Sequence, residues 1–210
     1  MENLDKWDVI YWDYVKQVAE RDLSALTDRL GVTVKGNSAI VPLFGKEYRI
    51  SGQGIVDHAG NRPSHSVSVV LCKYLLLCPS SEPTQTDLVT YKDFPDAGPF
   101  VGGFLNNVEK PIGRTFACRV SALERACREL GGRDLKMHFP ADLAVRFDAL
   151  PKIPLVMLYY DQDEEFPPHC SVLFERRAEK YLDMECLAIV GWILAEWLIA
   201  RVDSGSSMLL

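Results

Sequence analysis

Two neighbouring stretches in the last third of the chain limit its architecture more than any other feature. Leu143–Leu150 alternates, with Leu143, Val145 and Phe147 set against Ala144, Arg146 and Asp148, as a half-buried strand does. Ile153–Tyr160 follows across a link marked by Pro151 and Pro154, and it is apolar almost throughout. A strand of that composition is buried on both faces and suits the centre of a sheet. After an acidic turn, Cys170–Phe174 supplies another short strand, and Asp183 is placed to cap a final helix running to Val202. SGSSMLL then forms a flexible tail over residues 204–210.

The N-terminal part reads in the same way. Apolar and aromatic residues recur every three or four positions from Leu4 to Leu30, which predicts an amphipathic helix, broken once near Arg21 and stopped by Gly31. Val32–Val34, Ala39–Phe44 and Tyr48–Ile50 predict a small antiparallel meander turned at Gly36-Asn37 and Gly45-Lys46. Ser51–Pro63 reads as a loop, Val67–Cys78 as a buried helix, and Pro79–Pro99 as a long surface connection. Ile112–Leu130 has helical spacing and ends at the stop signal Gly131-Gly132. The expected fold is α+β, helices packed on antiparallel sheet, as a single domain over residues 1–203.

Charge narrows the partners. Among 210 residues, 23 Lys and Arg face 29 Asp and Glu, a formal net charge of −6, and Arg125, Arg128 and Arg133 are scattered among acids. A phosphate backbone is therefore not an expected partner. The most apolar stretch, Cys186–Ala200, is interrupted by Glu196 and falls short of the roughly 18 apolar residues that a membrane span needs. MENLDKWDVI begins with acids where an export signal is basic and then apolar. The expected location is the cytoplasm, with six reduced cysteines in mostly apolar surroundings. No C-x-x-C occurs, and no iron–sulfur cluster motif.

Four places carry chemistry worth weighing. Asp161, Asp163, Glu164 and Glu165 leave the end of the apolar strand. On extended backbone Asp161 and Asp163 point to the same side and can hold a divalent cation together, or act as an acid–base pair. The competing reading is a solvated hairpin turn anchored by Phe166 and Pro167. His169 follows and joins the acids if the hairpin curls, whereas Cys170, one residue on, faces the core. Asp57-His58, in the glycine-rich stretch Ser51–Pro63, is a candidate catalytic pair, against the alternative of a turn-rich connector. Phe94, Phe100 and Phe104, beside Gly98, Gly102 and Gly103, can wall a flat apolar ligand or pin a loop to the core. Nearly all sides of the last helix, with Trp192 and Trp197, are apolar, which fits the core or a homodimer contact.

The segment LPKIPLVMLYYDQDEEFPPHCSVLFERRAEKYLDMECLAIVG, from Leu150 to Gly191, resembles the signature of an uncharacterised prokaryotic family, domain of unknown function 3786. VSVVLCKYLLLC, DLVTYKDFPDAGPF and LERACRELGG precede it in the order that family shows. The resemblance runs from about Gly52 to the final helix. It implies an anaerobic, cofactor-rich setting, in which some members are fused to an iron–sulfur-cluster domain, and it brings no established activity. Two departures stand out: no cluster-type cysteine series near the N-terminus, and Glu175 where the family pattern has Asp.

The expectation ranked first is a non-catalytic protein of anaerobic metabolism that binds a small ligand or cofactor, or serves a redox or cofactor partner protein. Its candidate ligand-binding residues are Asp161, Asp163, Glu164, Glu165, His169, Phe100 and Phe104. A metal-dependent enzyme with a divalent cation on Asp161 and Asp163 ranks second, and a homodimeric interaction module third.

Overall fold

The computed structural model describes residues 5–135 and 139–206, with side chains through Val202. Helix α1, Lys6–Ala19, buries Tyr11, Val15 and Val18. The chain breaks after it, makes a 3-10 turn at Ser24–Leu26, and re-forms one helical turn, α2 (Thr27–Leu30), which ends on Gly31 with φ 67°. The predicted interruption near Arg21 and the glycine stop are both present.

Strands β1 (Thr33–Lys35), β2 (Ser38–Leu43), β3 (Lys46–Ser51) and β4 (Gly54–Asp57) form an antiparallel meander. The fourth strand falls in the segment expected to be loop. It pairs with β3 through Ile50↔Ile55, and the Tyr11 hydroxyl accepts the Ile55 N–H at 2.7 Å. A tertiary acceptor thus completes a strand whose own sequence is too short and glycine-rich to announce itself. Phe44 and Gly45, both at positive φ, turn β2 into β3. The Phe44 N–H donates to the Ala149 carbonyl at 2.9 Å, and its ring lies 6.2 Å from Phe147 and 5.8 Å from Trp197. That side chain fastens the first sheet to the second.

The second sheet has the order β5-β9-β8-β7-β6, all antiparallel. Its strands are β5 (Leu88–Thr90), β6 (Arg133–Asp134), β7 (Leu143–Leu150), β8 (Ile153–Tyr160) and β9 (His169–Glu175). The apolar run expected at the centre is central, with two strands on either side. Val145, Phe147, Leu155, Met157, Tyr159, Cys170, Val172 and Phe174 share its core face and are almost fully buried. On the other face the buried Glu175 carboxylate meets Arg177 at 2.6 Å and Arg146 at 3.5 Å, so this buried charge is paired.

Helix α3 (His65–Leu76) is buried as expected and is capped by Ser64. Helix α7, Met184–Ser206, packs against α3 and the helices described next, with Leu187, Val190, Leu194 and Leu198 fully buried and Trp192 40% exposed. Asp183 accepts the Cys186 N–H at 2.9 Å, the predicted cap. The helix passes the predicted end at Val202, and the rest of the predicted tail, residues 207–210, lies outside the described residues. No described helix is long and apolar enough to cross a membrane.

Further expectations need correction. The glycine–aromatic stretch is helical, not a loop: α4 (Gly98–Phe104) opens on Pro99 and runs into a π turn, Leu105–Glu109. Glycine is a poor helix former, but tertiary packing overrides it here. A Cβ on Gly191 of α7 would come within 2.5 Å of the Phe104 ring, so the two helices meet where a side chain is missing. Second, Ile112–Leu130 is two helices, α5 (Lys110–Thr115) and α6 (Val120–Glu129). Cys118 between them has φ 57°, a conformation no helix interior tolerates. The long connection before α4 also holds more structure than expected, because β5 and the buried Tyr91, Phe94 and Ala97 lie within it.

Candidate functional site

At one end of the second sheet, Tyr160 closes β8 and His169 opens β9, opposite each other in the register. The connection between them curls rather than projecting freely. Asp163 makes it do so: its Oδ1 accepts the N–H groups of Glu165 (2.8 Å) and Phe166 (2.7 Å), and its own N–H donates to the Phe166 carbonyl at 3.0 Å. A short carboxylate that bonds its own backbone two and three residues on is a turn-forming device. Asp161 performs a longer-range version. Its Oδ1 accepts the N–H groups of Cys118 (2.8 Å) and Gln162 (2.9 Å), with the Tyr159 hydroxyl at 3.3 Å. Its N–H donates in turn to Asp142 Oδ2 at 2.7 Å.

The result is a depression of about 610 Å³ lined by Asp142, Tyr160, Asp161, Asp163, Phe166, Pro167, His169 and Ser171. His169 Nε2 and Ser171 Oγ are 2.9 Å apart, and the rings of Tyr160 and His169 are 6.1 Å apart with a 32° tilt. The Tyr159 ring is buried in the core, and only its hydroxyl reaches Asp161. Burial, and secondarily the Asp161 charge, pushes its hydroxyl pKa well up.

Of the residues expected at a site, the structure brings Asp161, Asp163 and His169 to this one depression. The curl of the connection does so rather than strand alternation, since residues 161–163 lie beyond the end of β8. Glu164 and Glu165 are exposed beside it, and Glu165 contributes only its N–H to the Asp163 turn. Phe100 lies elsewhere, half-buried in a depression of about 490 Å³ next to Asp96 and Asp183. Phe104 is in the core, stacked on Tyr91 at 4.3 Å and 5°. His58 lines a third depression with Asp57, whose Oδ1 accepts the Ala59 and Asn61 N–H groups as a turn residue. The bond with Asn61, ahead of that with Ala59, holds the Asp57 carboxyl below its ordinary range. Among the described residues no three His, Cys, Asp or Glu side chains are arranged to hold a metal ion.

Several contributors escaped the sequence reading. Ser171 had a signal, since it sits two residues from His169 on a strand and must share its face. Asp142 had none, because only the pairing Leu143↔Tyr159 sets it beside the strand end. Nor had Glu109, the last residue of the π turn, whose Oε1 accepts the Val172 N–H at 3.1 Å on β9. Burial raises the Glu109 carboxyl, while that hydrogen bond and the nearby His169 and Lys92 pull the other way.

A model of one protein family, described as Domain of unknown function (DUF3786), matches residues 22–197. The match covers the second sheet, the depression and most of α7, and it begins after α1. No curated protein and no solved structure matches the chain.

Proposed function

The chain belongs to the DUF3786 family, and from that premise we propose that it is a non-catalytic binding protein whose site is the depression beside the β8–β9 hairpin. One observation supports this reading above the others. Two separated stretches, the β8–β9 hairpin end from Tyr160 to Ser171 and Asp142 before β7, bring carboxylates, an imidazole, hydroxyls and two aromatic rings around one space of about 610 Å³. That size and mixture suit a small molecule or cofactor held by apolar walls and a few polar groups. Asp161 and Asp163 each spend one carboxylate oxygen on backbone N–H groups, which suits a shaped binding wall better than a pair of proton-transfer groups. An accessory role in anaerobic metabolism is part of the same proposal, and only the family resemblance speaks for it.

Native mass spectrometry with elemental analysis and an absorption spectrum, on protein purified without oxygen, tests the reading. A bound molecule that is lost in a Phe166→Ala, His169→Ala variant supports it. A bound molecule retained by that variant places the site elsewhere and overturns it. A divalent cation lost on Asp161→Asn, Asp163→Asn substitution would favour the metal reading instead.

A further inference from the structure

The walls of the depression carry information about what it takes, an inference that rests on the binding reading above. Phe166 is 65% exposed, yet its backbone is fixed on both sides by Asp163. A single exposed aromatic ring is ordinary on a protein surface, but this one lines the depression and its backbone is held in place, so its face is available to a ligand there. The rings of Tyr160 and His169, 6.1 Å apart, line the same depression. A lining with several rings suits a flat apolar body.

The polar lining is one-signed. Asp142, Asp161 and Asp163 supply carboxylates, and no Lys or Arg lines the space among the described residues. Asp161 and Asp163 engage Oδ1 and Asp142 engages Oδ2; among the described residues, the second oxygen of each makes no hydrogen bond. Aromatic faces and carboxylates both attract positive charge, the first through the ring quadrupole and the second through Coulomb attraction. We propose that the depression selects a small organic cation with a flat apolar body, such as an aromatic ammonium or an N-alkylated heterocycle, held by the rings of Phe166, Tyr160 and His169 and by the carboxylates beside them.

The test uses two probes of nearly equal shape, benzylammonium and benzyl alcohol, titrated into ¹⁵N-labelled full-length protein near neutral pH. The expected result is shifts at Tyr160, Phe166 and His169, with benzylammonium binding at least about ten times more tightly than the alcohol and more weakly as salt is added. Asp161→Asn keeps an oxygen acceptor for the Cys118 N–H while removing the charge, and it should bring the two affinities together. Phe166→Ala, at an exposed position, should weaken both probes. Equal affinities in the unsubstituted protein overturn the cation proposal and leave the depression standing as a site. Shifts confined to other regions, or none at all, also overturn it, and the mass measurement on natively loaded protein then judges the binding reading separately.

Discussion

The backbone N–H of Cys118 donates to Asp161 Oδ1 at 2.8 Å, joining the turn between α5 and α6 to the end of β8. The same oxygen accepts the Gln162 N–H. Asp161→Ala leaves both donors without this acceptor, and we expect a loss of about 1 kcal/mol, the usual net worth of such a bond. Asp161→Asn, which retains an oxygen, should lose less. Urea denaturation of the two variants checks this, and equal stability for D161A and wild type would remove the link from the account.

Cysteine reactivity should be sharply divided. Cys118 is exposed, Cys78 is half-buried, and the other four are buried. Burial pushes the Cys72 and Cys127 thiols up to about 12, and raises those of Cys170 and Cys186 as well. Since the thiolate is the reacting form, a brief iodoacetamide pulse on native protein should label Cys118 first. Peptide mass mapping showing Cys127 or Cys170 labelled as fast would contradict the burial described.

Gly191→Ala should be costly. The added Cβ would lie 2.5 Å from the Phe104 ring, and that ring has no room to retreat because it is stacked on Tyr91 and touches Phe174. Overpacking of this kind costs about 1–3 kcal/mol, whereas alanine ordinarily strengthens a helix. A thermal melt that rises on substitution would mean that α4 and α7 can separate freely.

Glu109 carries a pH dependence. Burial raises its carboxyl above the ordinary 4.5, so between that value and the raised one the folded chain holds a proton that the unfolded chain has released. Its contribution to stability is therefore full at low pH and is lost as pH rises through the folded value. Glu109→Gln is neutral throughout and lacks this loss, so wild type should lose ground to the variant as pH increases from about 4.5. Denaturation midpoints that run parallel across that window would show that the group titrates alike in both states.

How far the sequence could be read depended on whether the information was local. The β7–β8–β9 run, the buried α3 and the capped α7 were legible because each element's own apolar pattern states which faces are buried. Asp161 and Asp163 stood out by residue type, but what brings them to one depression is the curl that Asp163 imposes beyond the end of β8, not strand alternation. Gly98–Phe104 was not legible, because its glycines speak against a helix unless Gly191 is known to lie opposite. The break at Cys118 was equally hidden: the apolar spacing runs through it, and what holds the turn is an acceptor 43 residues away.

The sequence by itself determined the α+β class, the central strand and the family, and it named three of the residues that line the candidate site. Only the tertiary structure decided that Asp142, Tyr160, Phe166 and Ser171 complete that site and that Phe100 and Phe104 lie apart from it. The physical reason is that periodicity encodes burial one element at a time. Which side chains meet is set by strand register and helix crossing, and these depend on partners far apart along the chain.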